Sequence, residues 1–195
     1  KFTNLLLPEG NKTINFWVRS QDTFEDNSYY LSLSSEVDPD ENTIRENNLV
    51  NGLFIKNMNI NTLYHDLQLN LYSSGRVNYE YDNRTIETND QCIQIRTWHM
   101  ITLVFEEGVL NLYVDGVSRG KSASYLFNDL QLYQTMILGQ YVPQDNLDNC
   151  TVREYSQIAI YSSALQRSDL IELRNKGFSY NILTSLTEPE PELSD

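Results

Sequence analysis

Short runs in which apolar or aromatic residues occupy every second position recur along the chain, over 14–19, 29–34 and 67–72. This period of two is that of a β-strand with one buried face. Turn-forming residues follow the third run, and the alternation returns over 77–81, which predicts a hairpin. The pattern is typical of an antiparallel all-β domain.

The clearest strand runs from Trp98 to Phe105, and nearly every position in it is apolar. Such a run predicts a strand that is covered on both faces. Glu106-Glu107-Gly108 predicts a turn, 109–114 its partner strand, and Asp115-Gly116 a second tight turn. Two further apolar strands are predicted over 136–139 and 157–161.

The segment 168–177 changes from the strand period to the helical one. Ser168 is the predicted N-cap, and Gly177 stands where a left-handed C-terminal cap belongs. Leu170 and Leu173 share the face that we expect to rest on the sandwich.

The chain of 195 residues, 40% of them hydrophobic, suits one large all-β domain. We assign 1–183 to this domain, with a long polar loop over 36–51. We assign 184–195 to an acidic, proline-containing linker or tail that leads to other domains of a longer chain. No run of ~18 apolar residues occurs, so we expect no membrane insertion by this segment.

The chain is strongly acidic, with 27 acidic and 14 basic residues and a net charge of −13. Since no basic stripe interrupts this acidity, nucleic acid is a poor partner. The charge is either a solubility device or a sign of cationic partners, above all Ca²⁺, or of basic partner surfaces.

The two cysteines, Cys92 and Cys150, are compatible with a disulfide, with two free thiols or with no special role. Three N-x-[ST] sequons, at Asn11, Asn83 and Asn149, lie beside predicted turns or strand ends, where a glycan would be solvated. The sequons favour an extracellular or cell-surface location. In such an oxidising compartment we expect a Cys92–Cys150 disulfide.

Three stretches, in this order, resemble the laminin G-like and pentraxin-like branch of the concanavalin A-like lectin/glucanase superfamily. Residues 14–18 are similar to the opening strand, 98–116 to the central hairpin, and 158–165 with the following helix to the usual ending. The resemblance implies a two-sheet antiparallel jelly-roll β-sandwich with a short C-terminal helix, which agrees with the strand pattern.

Catalytic chemistry finds little support in the sequence. The run Glu36–Glu41 matches the acid spacing of hydrolases in the superfamily, whose retaining mechanism needs two carboxylates roughly 5–5.5 Å apart. Pro39 opposes a catalytic strand because proline cannot donate to a ladder, so we predict a loop there and no catalytic residue. His65 and His99 accompany no nucleophile motif and no zinc-ligand set, and we expect structural roles for both.

Ca²⁺ is the one cofactor that the resemblance suggests, at the rim of the sandwich. Residues 137–140 resemble the pentraxin segment before a ligand-rich loop, and Asp145 and Asp148 follow as oxygen donors. The insertion of 141–143 departs from the compact run of acids and amides in the family. The alternative is a polar loop anchored by Cys150.

We therefore expect a non-enzymatic recognition or adhesion domain of a larger secreted or cell-surface protein, binding a protein or glycan partner. The alternative is a structural spacer packed against neighbouring domains or subunits, and a glycoside hydrolase is the third hypothesis. A fold does not by itself decide among these functions.

Overall fold

The computed structural model describes residues 2–3, 5, 7–20, 29–34, 52–58, 63–72, 84–122, 135–139 and 153–177. This part of the chain contains twelve strands and one helix. They are β1 Phe2–Thr3, β2 Lys12–Ser20, β3 Tyr29–Ser34, β4 Gly52–Met58, β5 Tyr64–Tyr72, β6 Arg84–Glu87, β7 Ile93–Gln94, β8 Trp98–Glu106, β9 Val109–Val114, β10 Val117–Lys121, β11 Thr135–Leu138, β12 Arg153–Tyr161 and α1 Arg167–Lys176.

The strands form two antiparallel sheets that face each other. One has the order β1-β11-β3-β4-β5-β6, with β7 paired to β5, and the other has the order β10-β9-β8-β2-β12. The main core lies between them and draws apolar side chains from both sheets. These include Ile14, Phe16, Val18, Leu31, Leu33, Leu53, Ile55, Leu67, Leu69, Ile101, Leu103 and Leu112. The predicted two-sheet sandwich is confirmed.

Strand β8 is buried on both faces, as its continuous apolar run predicts. Ile101 and Leu103 point into the main core. Met100 and Val104, on the other face, form a second apolar cluster with Leu170 of α1. The helix therefore covers the outer face of the five-stranded sheet.

The two turns that flank β9 have the backbone that their sequences predict. Glu107 and Gly108 have φ of 48° and 79°, and Asp115 and Gly116 have φ of 53° and 76°. Two consecutive positive φ values are typical of a type I′ turn, whose twist matches that of the strands it joins.

The N-cap of α1 is Gln166, two residues before the predicted Ser168. The backbone N–H of Gln166 donates to the carboxylate of Asp169 at 2.7 Å, so an acidic side chain in the first turn satisfies the helix start. The helix ends at Gly177 as predicted, but this glycine has φ of 72° and ψ of −157° and so does not form the left-handed cap that was predicted.

Other predicted boundaries differ from the structure or lie beyond it. Strand β12 begins four residues before the predicted Gln157, whose φ of 43° marks a bulge inside the strand. The sequence pattern did not predict β4. The hairpin return 77–81, the loop 36–51 and the tail 184–195 lie outside the described residues. Within the described ranges, no helix has the length and apolarity needed to cross a membrane.

The sheets approach closely where β10 meets β6. A Cβ at Gly120 would overlap the Cγ2 methyl group of Ile86, which is attached to the branched Cβ of that side chain. Gly120 does not have a left-handed φ, so this steric contact, and not the backbone, requires glycine.

We expect Gly120→Ala to lower the free energy of unfolding by about 1–3 kcal/mol, the usual cost of overpacking a core. Urea unfolding measures the change. Ser118→Ala, on the exposed face of the same strand, should stay within about 0.5 kcal/mol of the wild type. Equal stability of the two variants would contradict this account.

Candidate functional site

Three chain segments meet at one end of the five-stranded sheet, where β2 ends. Ser20, the last residue of β2, pairs with Arg153, the first residue of β12. On the other side of β2, the backbone N–H of Arg96 donates to the Ser20 carbonyl at 2.7 Å, and Arg19 pairs with Trp98. We name this surface the arginine rim and define it by Arg19, Ser20, Arg96, Trp98 and Arg153.

Arg19 lies between an aromatic ring and an acid. Its guanidinium carbon is 5.2 Å from the ring centroid of Trp98, within the range of a cation–π contact. Arg19 also forms an ion pair with Glu154, and both of these side chains are 35% exposed. The rim thus presents an indole, a guanidinium and a carboxylate together at a partly open surface.

The backbone at and beside the rim is strained. Arg96, which precedes β8, has φ of 64°, and Gln91 has φ of 53°. For residues other than glycine, this left-handed conformation costs roughly 1–2 kcal/mol. Such strain is typical of binding and catalytic sites, and at Arg96 it lies on the rim itself.

His99 fixes the turn that carries Arg96. The backbone N–H of Gln94 donates to its Nε2 at 2.9 Å, so the ring proton is on Nδ1 and is donated to Asp115 Oδ2 at 2.7 Å. Asp115 also accepts the backbone N–H of Met100 at 2.9 Å. Both ring nitrogens are used within the fold, which agrees with the structural role expected for His99.

A buried polar pair lies beneath the rim. Tyr30 Oη is hydrogen-bonded to His65 Nε2 and is 2.9 Å from Ser20 Oγ. The Arg153 guanidinium is 3.9 Å from the Tyr30 ring centroid and donates to the carbonyl of Tyr29. Because Tyr30 and His65 belong to the seven-stranded sheet, these contacts join that sheet to the ends of β2 and β12.

Tyr30 and His65 are both neutral at physiological pH. Burial, followed by the charges of Arg153 and His99, lowers the pKa of His65 to about 3. Burial also raises the pKa of Tyr30. The pair therefore supports the rim through hydrogen bonds, as the structural role expected for His65 requires.

A second polar cluster brings together Asp66, Asp90 and Cys92, whose ligand atoms lie within 4.8 Å of one another. Asp66 accepts the Thr88 hydroxyl proton at 3.0 Å, and Asp90 is paired with the guanidinium of Arg119. Burial raises the pKa of the Cys92 thiol to about 11, so the thiol stays protonated at neutral pH. Donors from the protein already satisfy these acids, and we assign the cluster a structural role.

Two of the predicted modification residues fall within the described ranges. Cys92 is a buried thiol with its Sγ 3.3 Å from Thr88 Oγ1. Asn11 is exposed, and its Oδ1 accepts the backbone N–H of Glu107 at 3.0 Å. The other predicted site residues lie outside the described residues: Asn83, Asn149, Cys150, the proposed calcium ligands Asp145 and Asp148, and the acidic run Glu36–Glu41.

No sequence pattern predicted the arginine rim. The sequence did show that two of its arginines lie near strand ends. Arg19 ends the first predicted strand, and Arg96 precedes the strand that begins at Trp98. Antiparallel neighbours bring such ends to one edge of a sheet. Arg153 carried no such signal because the predicted strand began at Gln157.

The fold and its polar rim define a lectin-like β-sandwich. A family model, Laminin_G_3, described as concanavalin A-like lectin/glucanases superfamily, matches residues 1–170. The chain belongs to this superfamily, as the resemblance over its three stretches predicts. No curated protein matches the chain in sequence.

Solved structures share the fold at low sequence identity. The CBM40 domain of Ruminococcus gnavus IT-sialidase, bound to α2,3-sialyllactose, is 12% identical with a TM-score of 0.54, and the match covers 85% of this chain and 83% of that one. The leech intramolecular trans-sialidase is 15% identical with a TM-score of 0.57, over 85% and 23% of the two chains. The binding domain of Paraclostridial Mosquitocidal Protein 1 is 16% identical with a TM-score of 0.53, over 86% and 37%. These likenesses establish the fold alone.

We expect His65 to make the stability depend on pH. Its pKa is about 3 in the folded protein and about 6.5 in an unfolded chain, so the unfolded state takes up the proton first as the pH falls. The free energy of unfolding should therefore decrease from pH 6.5 towards pH 3, by up to about 1.4 kcal/mol per pH unit from this group. Urea unfolding over this pH range measures the slope.

The variant His65→Gln separates this contribution from that of the carboxylates. Glutamine can still hydrogen-bond to Tyr30 but does not titrate. The slope of the free energy of unfolding against pH should therefore decrease by up to about 1.4 kcal/mol per pH unit, the contribution of one proton. A slope equal to that of the wild type would show that His65 does not control the pH dependence.

The Cys92–Cys150 disulfide remains a prediction. Cys92 is buried, and Cys150 lies outside the described residues, so only a direct chemical test can establish the pairing. Peptide mapping without reductant should recover linked Cys92 and Cys150 peptides from protein made in an oxidising compartment. Cys92→Ala should then lower the free energy of unfolding by about 2–5 kcal/mol. Recovery of both cysteines as alkylated, unlinked peptides would contradict the pairing.

Proposed function

We propose that this chain is a non-catalytic glycan-recognition domain that binds its ligand at the arginine rim. The observation that carries the proposal is the half-buried indole of Trp98 beside the ion pair of Arg19 and Glu154. Sugar rings offer apolar C–H faces that pack on aromatic rings, and hydroxyls that hydrogen-bond to charged groups. The rim supplies partners for both.

The rigidity of the rim supports binding. The Ser20 carbonyl accepts a hydrogen bond from the backbone of Arg96. The contacts of His99 with Gln94 and Asp115 fix the turn before β8 and the turn between β9 and β10. A preorganised site loses less conformational entropy when a ligand binds, so more of the contact energy appears as affinity.

The hydrogen bonds that nearby acidic side chains accept support a binding function and not a hydrolytic one. Asp66, Asp115 and Glu154 each accept hydrogen bonds from protein donors. A retaining glycosidase instead turns two carboxylates towards its substrate, roughly 5–5.5 Å apart. Asp115 and Glu154 stabilise the frame of the rim, and Asp66 stabilises the second polar cluster.

The structural relatives support a glycan ligand. Besides the CBM40 domain with sialyllactose, they include the binding domain of Botulinum Neurotoxin DC in complex with SialylT, with a TM-score of 0.51. A structure of botulinum neurotoxin type C has a TM-score of 0.53, and its description states that cell entry of this toxin depends on interaction with two ganglioside molecules.

Ca²⁺ at Asp145 and Asp148 is part of the same proposal. The segment that carries them joins β11 to β12, and both of its described ends lie beside the rim. The N–H of Gly139 donates to the carbonyl of Tyr30 at 3.2 Å, and Arg153 stacks on the Tyr30 ring. We therefore expect Ca²⁺ to raise the affinity for glycan and a chelator to lower it.

A second candidate function is packing against a neighbouring domain of a longer chain. Val117 and Ile171 are 44% and 41% exposed, and a Cβ at Gly116, the residue before Val117, would lie 3.3 Å from Ile171. These two side chains form a much smaller apolar surface than a stable interface of about 800 Å² per partner requires. Glycan recognition is therefore the function that we put first.

A glycan array followed by calorimetry on the bound members, with and without Ca²⁺, tests the proposal. We expect Trp98→Ala to weaken binding by about tenfold or more, because a central aromatic contact is typically worth about 2 kcal/mol.

Phe2→Ala is the matched control, since Phe2 is an exposed aromatic residue on the edge strand of the other sheet. It should retain the wild-type affinity, and thermal unfolding verifies that both variants are folded. Equal losses in the two variants would exclude the rim as the binding surface. Failure of the wild type to bind any glycan on the array would refute the function.

A further inference from the structure

Three outward-facing side chains form one row across three neighbouring strands. Arg19 of β2 stands opposite Trp98 of β8 on one side and Glu154 of β12 on the other. Side chains directly opposite one another point to the same face of a sheet, and neighbouring strands lie about 4.8 Å apart. Val18, the residue before Arg19, is buried in the main core, so the row lies on the outer face. We name Arg19, Trp98 and Glu154 the outer row.

The outer row lies at the edge of the area that α1 covers. The next row of the same face contains Trp17 and Met100, which are buried in one apolar cluster with Leu170 of α1. Trp98 packs against this cluster and is half-buried, and the two charged side chains of the outer row are each 35% exposed. The row is therefore supported by the helix-covered cluster on one side and partly open to solvent.

The outer row carries no net charge. Arg19 and Glu154 form an ion pair, so a guanidinium and a carboxylate lie side by side at the surface. An anionic group near Arg19 is repelled by Glu154, and a cationic group near Glu154 is repelled by Arg19. A hydroxyl meets neither repulsion, because its oxygen accepts a hydrogen bond from the guanidinium and its O–H donates to the carboxylate. The net charge of −13 on the whole chain adds to the repulsion of anions.

We propose that the outer row binds an uncharged sugar residue, whose C–H face packs on Trp98 and whose hydroxyls contact Arg19 and Glu154. This inference rests on the proposed glycan-binding function and names the ligand class of the same site. The CBM40 domain is bound to sialyllactose, an anionic sugar, but its 12% identity establishes the fold and not the charges of the site.

A glycan array that carries neutral glycans, such as lactose, beside their sialylated counterparts, such as sialyllactose, tests the inference. Titration of the protein over the array gives an affinity for each member. In every pair that binds, the wild type should bind the neutral member at least as tightly as the sialylated one. Tighter binding of the sialylated members overturns the assignment of an uncharged ligand while the proposed function stands.

Two variants change the charge of the outer row in opposite directions. Glu154→Gln removes the negative charge beside Arg19, so the ratio of sialylated to neutral affinity should rise about fivefold, the effect of one unit charge about 4 Å away in water. Arg19→Gln removes the positive charge, so the same ratio should fall by a similar factor. Unchanged ratios in both variants overturn the placement of the ligand at the outer row.

Asp90→Asn is the matched control, because it also removes one negative charge from an exposed ion pair. The side chain of Asp90 is 46% exposed and is paired with Arg119 of β10, and β10 and β12 are the opposite edge strands of the five-stranded sheet. The affinity ratio should keep its wild-type value, and thermal unfolding verifies that all three variants are folded. A rise as large as that of Glu154→Gln overturns the local role of the outer row. Absence of binding to every glycan on the array overturns the proposed function itself.

Discussion

The register of β2 between β8 and β12 determines which side chains meet at the rim. Arg19 stands opposite Trp98 on one side and Glu154 on the other. Because successive side chains point to opposite faces of a sheet, a slip of one residue would turn Arg19 into the core and bring Phe16 and Val18 out of it. Burial of these apolar side chains, which is the main source of stability, therefore also fixes the geometry of the surface that we propose to bind ligand.

The hydrogen-bonded pair of Tyr30 and His65 connects this surface to the core between the two sheets. Both side chains are fully buried, and an unsatisfied polar group there would cost about 1–3 kcal/mol. The contacts of Tyr30 with Ser20 and Arg153 reach the ends of two strands of the opposite sheet. The nearby Arg153 charge also disfavours a second cation, which keeps His65 neutral. The rim is accordingly supported from beneath by both sheets.

Much of the fold could be predicted because it follows from local patterns. The apolar run of β8 implied burial on both faces, and Gly108 and Gly116 marked the turns on either side of β9. The rim could not be predicted in the same way, because it depends on contacts between residues far apart in the chain. Ser20 meets Arg96 through one hydrogen bond and Arg153 through strand pairing, and neither contact has a sequence period or motif. The start of β12 was predicted four residues too late, so the sequence pattern did not place Arg153 at the end of a strand.

The rim combines features that lower stability. A left-handed arginine and buried polar side chains each cost on the order of 1 kcal/mol or more, against a typical total stability of about 5–15 kcal/mol. The sandwich does not need Arg96 for its packing, since this side chain is exposed and glycine would adopt its backbone without strain. The hydrogen bond to Ser20 and the contacts of His99 nevertheless hold this turn in place. These costs agree with the proposal that ligand binds at the rim and not on the sheet faces, because local strain is typical of binding sites.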